Sequence, residues 1–314
     1  MGRIAVVGGS NVDIQGFPIN HLTLGDSNPG RIVITPGGVG RNVAENAARM
    51  GSEVRLISAF GDDEGAALLV KSLSDAGVDI SASCVLDDHR SSSYLCILDE
   101  SGRLHVAVSD MELAAEITPE LVERGREAIE WSSVCVIDAN LPSATIDHIC
   151  RSFPARRVLL DSVSEAKAPR AAGSLGRLYA IKPNRREAEV LTGVSIRSDD
   201  DLPRAAERLH GEGITAVFIS LGARGLFFSA HGKRPACGVV EAPSGGVVRN
   251  ASGAGDAMTA AIAMGIAEEA RVEDIARNAV AAAAIAMESE LPVNPAIDGA
   301  AVSRRADRLS AAVW

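Results

Sequence analysis

The sequence predicts an α/β fold built on a doubly wound, mostly parallel sheet, with a small β-sheet inserted into it. Three observations carry that prediction. Short apolar runs of strand length alternate along the chain with segments of helical period. Two stretches break the alternation with strand-like runs and no helix signal. Glycine-rich turns stand where strands hand over to helices.

The expected buried strands are Ile4–Gly8, Val54–Ala59, Val134–Asp138, Arg157–Asp161, Leu178–Lys182 and Ala216–Leu221. Each is short, rich in β-branched residues or leucine, and bounded by polar residues, as strands covered on both faces are. Between them lie helical patterns. Glu64–Ala76 sets Leu69 and Leu73 on one face and ends at Gly77. Thr118 followed by Pro119 is a capping oxygen and a first-turn proline. Asp200–His210 turns Leu202, Ala205, Ala206 and Leu209 inward. Val272–Ser289 carries four consecutive alanines, Ala281–Ala284, which permit close approach of a neighbour or of a flat ligand. In the irregular stretches, Arg31–Thr35, Ser92–Leu98 and Leu104–Val108 read as antiparallel strands, the last two joined by a turn at Ser101-Gly102. The expected organisation is therefore one domain over 1–314, with lid segments at about 12–35 and 91–108 placed to cover a site.

Composition limits the function. The 314 residues include 31 Lys and Arg against 41 Asp and Glu, a formal charge of −10. No basic footprint for nucleic acid or for an anionic membrane surface follows from that balance. Hydrophobic residues are 46 % and charged residues 23 %, which excludes global disorder. No apolar run reaches the roughly 18 residues of a membrane span. The opening MGRIAVVGGSNVD leads straight into a strand pattern without a signal-peptide core, so a cytoplasmic address is expected. Five cysteines without a CxxC, and six scattered histidines, give no disulfide framework and no zinc pattern.

Five segments can carry chemistry. Asn250-Ala251-Ser252-Gly253-Ala254-Gly255-Asp256 opens a helix. Successive N–H groups and the helix dipole there suit an anion, and Asp256 beside it can take a proton from a hydroxyl. Alternatively, Asp256 only favours the helix dipole. Gly37-Gly38-Val39-Gly40-Arg41-Asn42 turns a strand into a helix with more glycine than a turn needs, and Asn42 offers both donor and acceptor to a hydroxyl-rich ligand. Asn11 and Asp13 follow the first strand, where open α/β sheets gather ligands. They suit vicinal sugar hydroxyls, or form an Asx turn. Asn184 and Glu187 can hold waters of a hydrated Mg²⁺, or simply form a capping box. Ser220, Gly222 and Gly225 can admit a nucleotide against the backbone, or mark a plain turn. The Walker A, GxGxxG and GxSxG patterns are absent, which removes P-loop, dinucleotide and serine-hydrolase readings.

Taken in this order, the segments resemble the ribokinase-like (PfkB) carbohydrate kinases. The early GGxxxNxA signature appears as Gly37, Gly38, Asn42 and Ala44, and the late DTxGAGD signature as NASGAGD. The resemblance spans nearly the whole chain. It implies a Rossmann-like body with a β-lid, use of ATP and Mg²⁺, a small-molecule nucleoside or sugar substrate, and a homodimer through the lid. It makes Asp256 the catalytic base and Gly253, Ala254 and Gly255 the anion hole. It places Asn184 and Glu187 near magnesium, and Ser220, Gly222 and Gly225 by the nucleotide.

A narrower likeness, to the pseudouridine kinase branch, rests on Asp26-Ser27-Asn28-Pro29-Gly30, on TPGGVGRN at 35–42, on Ser92-Ser93-Tyr94-Leu95, and on Asp161, Val163, Ser164 and Lys167. It implies phosphorylation of the 5′-hydroxyl of pseudouridine. Asn11, Asp13, Gly37, Gly38 and Asn42 would hold the ribose, with Ser27, Asn28 and Lys167 near the base or the 5′ end. Alternatives within the fold are a kinase for ribose or adenosine and a non-catalytic sugar or nucleoside binder; the intact GAGD speaks against the latter. A hexose phosphate acceptor would call for basic groups in the lid, where only Arg31 and Arg90 stand near. Asn250 and Ala251 replace the family's Asp and Thr in a stretch that helps bind a monovalent cation, so the resemblance does not carry potassium dependence over. Ser162 stands where the branch has proline.

Overall fold

The computed structural model describes residues 2–100, 103–232, 234–245 and 248–314. Along the first third run β1 (Arg3–Val7), β2 (Asn11–Pro18), β3 (Gly30–Gly37), α1 (Val39–Arg49), β4 (Glu53–Ile57), β5 (Ala59–Phe60), α2 (Glu64–Asp75), β6 (Cys84–Val85), β7 (Ser93–Leu98) and β8 (Leu104–Asp110). The middle holds α3 (Pro119–Arg124), α4 (Arg126–Trp131), β9 (Val134–Asp138), α5 (Ser143–Ser152), β10 (Arg157–Asp161), β11 (Ala180–Lys182), α6 (Arg185–Thr192), α7 (Leu202–Gly211) and β12 (Ala216–Ser220). The last part is β13 (Leu226–Ala230), β14 (Ala236–Val240), α8 (Ala254–Ala267), α9 (Val272–Ala286), α10 (Gly299–Ala306) and β15 (Ala311–Val313).

Nine strands form the main sheet in the order β15-β14-β13-β12-β11-β10-β9-β1-β4. The six from β12 to β4 are parallel, and the three at the other edge are antiparallel. Alternate residues of each central strand feed opposite layers. Ile4 and Val6 pack with α1, α8 and α9, whereas Ala5 and Val7 pack with the layer that holds α5 and α7. Burial on both faces explains why these strands read as continuous apolar runs. The edge strands β14 and β15 were not legible in the sequence: ACGVV and AAV are too short and too small-chained to stand out. The sequence run Val54–Ala59 divides into β4 and β5, and β5 pairs with β6 in a separate ribbon. The expected helix over Asp200–His210 begins instead at Leu202, after a 3₁₀ turn at Asp199–Asp201.

A second sheet runs β3-β2-β7-β8. Its outer pairs are antiparallel and its central pair, β2 with β7, is parallel. The turn expected at Ser101-Gly102 lies outside the described residues. Ile14 pairs with Ile34 and Leu95, and Leu95 with Val108, so one face of this sheet is an apolar row. Asp13, Thr35 and Tyr94 form a row on the opposite face.

Candidate active site

The strand order reverses beside β1, whose neighbours are β4 on one side and β9 on the other. At such a switch the loops leave the carboxyl ends of adjacent strands in opposite directions and open a crevice. After β1 the chain passes Gly8 and Gly9, and the Gly9 N–H donates to Asp138 Oδ2 at the end of β9, 2.9 Å away. Helix α1 is drawn in against this turn. Gly38 precedes it with φ 99°, and a Cβ there would meet the Gly9 carbonyl oxygen at 2.5 Å. Only glycine satisfies both conditions.

A cavity of about 230 Å³ lies between the crevice and the polar face of the second sheet. Asn11, Asp13, Gly38, Asn42, Lys167 and Asp256 line it. Asn11 Nδ2 donates to Asp13 Oδ1 at 2.6 Å. Burial raises the Asp13 carboxyl above its ordinary range, against the pull of that hydrogen bond and of Arg41. Gly37 sits behind Asp13, where a Cβ would come within 2.4 Å of its Oδ2. Lys167 Nζ donates to Asn140 Oδ1 at 2.6 Å, and burial lowers its ammonium. Ser92 also lines the cavity; its hydroxyl is buried with no hydrogen-bond partner among the described residues.

At the far side of this cavity the chain turns into α8. Gly253 takes φ 78°, and a Cβ on it would collide with the Pro292 carbonyl oxygen at 1.9 Å. No side chain caps α8; the Ala254 N–H donates to the Ala251 carbonyl at 3.5 Å, and the positive end of the helix is open to an anion. Asn250 shapes the approach: its Oδ1 accepts from Ser252 N and its Nδ2 donates to the Glu290 carbonyl, each at 2.9 Å. Asp256, one turn in, accepts from Asn42 Nδ2 at 2.8 Å. Burial pushes its carboxyl up to about 7, helped by the Asp161 and Asp138 charges and opposed by Asn42 and Lys182.

Beyond the same turn opens a second cavity, of about 1090 Å³. Ala254 and Gly255 form part of its wall, Ser220, Gly222 and Gly225 another part, and Val280, Ala283 and Ala284 of α9 a third. The alanine run therefore faces a cleft as well as the core. Thus Gly253 and Asp256 belong to the small cavity, Ala254 and Gly255 to the large one, and the turn divides them.

Asn184 caps α6 and forms a capping box with Glu187. Glu187 is 4 % exposed: its Oε2 accepts from Asn184 N and Ser162 Oγ, and its Oε1 accepts from Asn184 Nδ2. This loop adjoins the large cavity, since Ser220 N donates to the Pro183 carbonyl at 2.9 Å.

Ser27 and Asn28 are not brought to either cavity. They lie in the β2–β3 loop, Ser27 exposed and Asn28 half-buried, where Asn28 bonds the backbone of Thr23 and Asp26. Asn11 pairs with Gly37 at one end of the β2–β3 ladder and Pro18 with Gly30 at the other. Eight strand residues hold that loop roughly 25 Å from the crevice.

Sequence reasoning missed Lys182. It is buried at the end of β11, its Nζ 3.0 Å from Asp161 Oδ2 and within 3.3 Å of where a Gly255 Cβ would lie. Burial alone would lower it, but Asp161 and Asp256 outweigh burial and its pKa is raised. Thr259 also donates to Asp161, at 2.6 Å. A lysine closing an apolar strand was the available signal, because a cation is rarely buried there without anionic partners.

The family model for pfkB family carbohydrate kinases matches residues 1–298. A pseudouridine kinase of Escherichia coli K12 is 32 % identical over 292 residues, covering 93 % of this chain and 92 % of that protein. A carbohydrate kinase from Agrobacterium tumefaciens superposes with a TM-score of 0.85 at 29 % identity, each chain covered completely. A ribokinase of Arabidopsis thaliana, solved with ribose and ATP, has the same fold, with a TM-score of 0.85 at 20 % identity, 97 % of this chain and 98 % of that one being covered.

Proposed function

This chain belongs to the pfkB family of carbohydrate kinases, enzymes that move a phosphoryl group onto an alcohol, and on that premise we propose that it phosphorylates the 5′-hydroxyl of pseudouridine with ATP. One observation carries the transfer reading: a single turn, Gly253–Asp256, lines the small cavity with the Asp256 carboxylate and the large one with Ala254 and Gly255, at the N-terminus of α8. A hydroxyl bound in the first and a triphosphate bound in the second meet at that turn.

In this scheme Asn11, Asp13 and Asn42 receive the ribose hydroxyls, where Gly37 and Gly38 leave room for the backbone to close up. Asp256 accepts the 5′-hydroxyl proton as oxygen attacks phosphorus. Its raised pKa places it near neutrality, where a base is partly ionised and strong enough to draw the proton. The N–H groups of Gly253, Ala254 and Gly255, at the positive end of α8, hold the negative charge of the transferring group. The buried Lys182 ammonium adds to the field beside Gly255. Ser220, Gly222 and Gly225 border the nucleotide, and the flat alanine face of α9 suits its base. Closure of the second sheet, over segments 12–35 and 91–108, excludes water as a competing acceptor. Ser27 and Asn28 are given no role in this scheme, their loop standing at the far end of the ladder from the small cavity.

Magnesium fits the residues present only through its waters. Glu187 keeps lone pairs beyond its capping bonds but is nearly enclosed, and no described group of three or more His, Cys, Asp and Glu forms a cage. That donor set suits an ion held mainly by phosphate oxygens and water, with Asn184 and Glu187 in its outer shell. Bound there, the ion would neutralise phosphate charge.

Pseudouridine is supported by the E. coli relative and by the segments at 26–30, 92–95 and 161–167. The experiment is ADP release from MgATP with pseudouridine, uridine, adenosine or ribose as acceptor. Turnover on pseudouridine well above the others is expected; preference for ribose or adenosine would discard the substrate and keep the chemistry. The exposed row of Ile32, Ile34, Val106 and Val108 suits a second copy of this chain on the small sheet. Sedimentation should give a dimer, and substituting Ile34→Lys with Val108→Lys should leave a monomer; a wild-type monomer would refute the interface.

A further inference from the structure

Arg41 is 2 % exposed, yet the scheme above gives it no task. Its guanidinium joins four partners: one NH donates to the Pro36 carbonyl at 3.2 Å and to Asn42 Oδ1 at 2.7 Å, the other to Ser72 Oγ at 3.0 Å and to Glu45. Its Nε has no partner among the described residues. An arginine that only tied α1 to α2 would have no need of Asn42.

A guanidinium has donors and no acceptor, so the atom of Asn42 that faces it must be the oxygen. The amide nitrogen is then fixed on the other side, where it donates to Asp256 Oδ2 at 2.8 Å. Without that constraint the amide can rotate and present its oxygen to Asp256, an arrangement that favours the protonated acid. Glu45 in turn accepts from Arg49 Nε at 2.7 Å, which holds the guanidinium from behind. We propose that Arg41 is a positioning residue of this kinase: it fixes the Asn42 amide so that an N–H, and not a carbonyl oxygen, faces the Asp256 carboxylate. The inference rests on the reading of Asp256 as the base.

The charged groups around the pair are accounted for. Asp256 meets Asp138 from β9, Asp161 from β10 and Lys182 from β11. Arg41 meets Glu45 and Arg49 on its own helix and Asp13 from β2. None of these sets the rotation of the Asn42 amide.

The test is a ¹³C carboxyl titration of Asp256 without substrate, assigned by difference from Asp256→Asn, together with the pH profile of kcat/KM. In the wild-type protein the Asn42 side-chain N–H resonances should titrate with the Asp256 midpoint; their indifference to it would overturn the proposal without any variant. Arg41→Lys keeps the charge but loses the fork. It should raise the Asp256 midpoint and the acid limb of the profile by about one unit, a roughly tenfold loss at pH 6 that fades at high pH. Asn42→Leu removes the donor and should move the midpoint in the same direction. Ser72→Ala cuts the tie to α2 and should leave it in place. An unmoved midpoint in Arg41→Lys, or an equal shift in Ser72→Ala, would reduce Arg41 to packing. The base reading itself fails separately, if Asp256→Asn keeps its activity.

Discussion

The two cavities that meet at the Gly253–Asp256 turn are built from opposite materials. The smaller is lined by amides, carboxylates and a lysine that are tied to one another, Asn11 to Asp13, Asn42 to Asp256 and Lys167 to Asn140. The larger is walled mainly by backbone at Ala254, Gly255 and Gly225 and by the methyl groups of α9, with Glu288, Arg305 and Arg308 on another part of its wall. The difference teaches how the labour is divided. Hydrogen bonds between side chains fix directions, so in the proposed scheme the first cavity selects which hydroxyl reaches Asp256. Backbone and methyl groups fix shape and distance, so under the proposed scheme the second admits a flat group, with Arg305, Arg308 and the helix end as the positive groups on its wall.

The largest expected effect breaks the junction itself. Asp256→Asn should lower kcat by ~10²–10⁴-fold while the fold remains intact. A carboxyl that titrates at 3.8 when unfolded and at about 7 in the fold costs stability as pH rises through that interval, because only the unfolded chain has released its proton. Asp256→Asn should therefore melt above the wild type at pH 8 and match it at pH 3.5. Thermal melts at the two pH values check this; a variant that melts lower at pH 8 would mean that the carboxylate supports the fold.

The next effects separate the cavities. Asp13→Ala should raise KM for the acceptor by ~10–100-fold, the worth of hydrogen bonds to a charged group, with KM for the nucleotide unchanged. Ala284→Leu fills the large cavity from α9 and should raise KM for the nucleotide roughly tenfold, with the acceptor unaffected. Initial-rate kinetics with each substrate varied in turn reads both. If either substitution moved both constants alike, the division between the cavities would fall.

The sequence was most legible where a pattern is local. Burial on both faces makes β9 and β10 apolar runs, and their bounds at Val134–Asp138 and Arg157–Asp161 agree with expectation. Thr118 caps α3 and Asn184 caps α6, because a cap is a bond between residues three apart. The Gly253–Asp256 turn announced itself by composition, and its backbone requires that glycine. Less could be read where partners are distant in the chain. Lys182 and Asp161 are 21 residues apart and meet only because β10 and β11 pair. The register of one ladder carries Ser27 and Asn28 away from the crevice although Asn11 and Asp13, on the same hairpin, line it. Asn42 looked free to bind a hydroxyl, yet 214 residues separate it from the Asp256 that its N–H meets.

By itself, then, the sequence determined the α/β alternation, the glycine turns and the identity of the acid at the head of α8, since each depends on steric and hydrogen-bonding preferences within a few residues. Only the tertiary structure decided that this acid would be flanked by two other aspartates, a lysine and an oriented amide. A pKa is set by charges and burial within several ångströms, and those neighbours come from four separate elements of the fold.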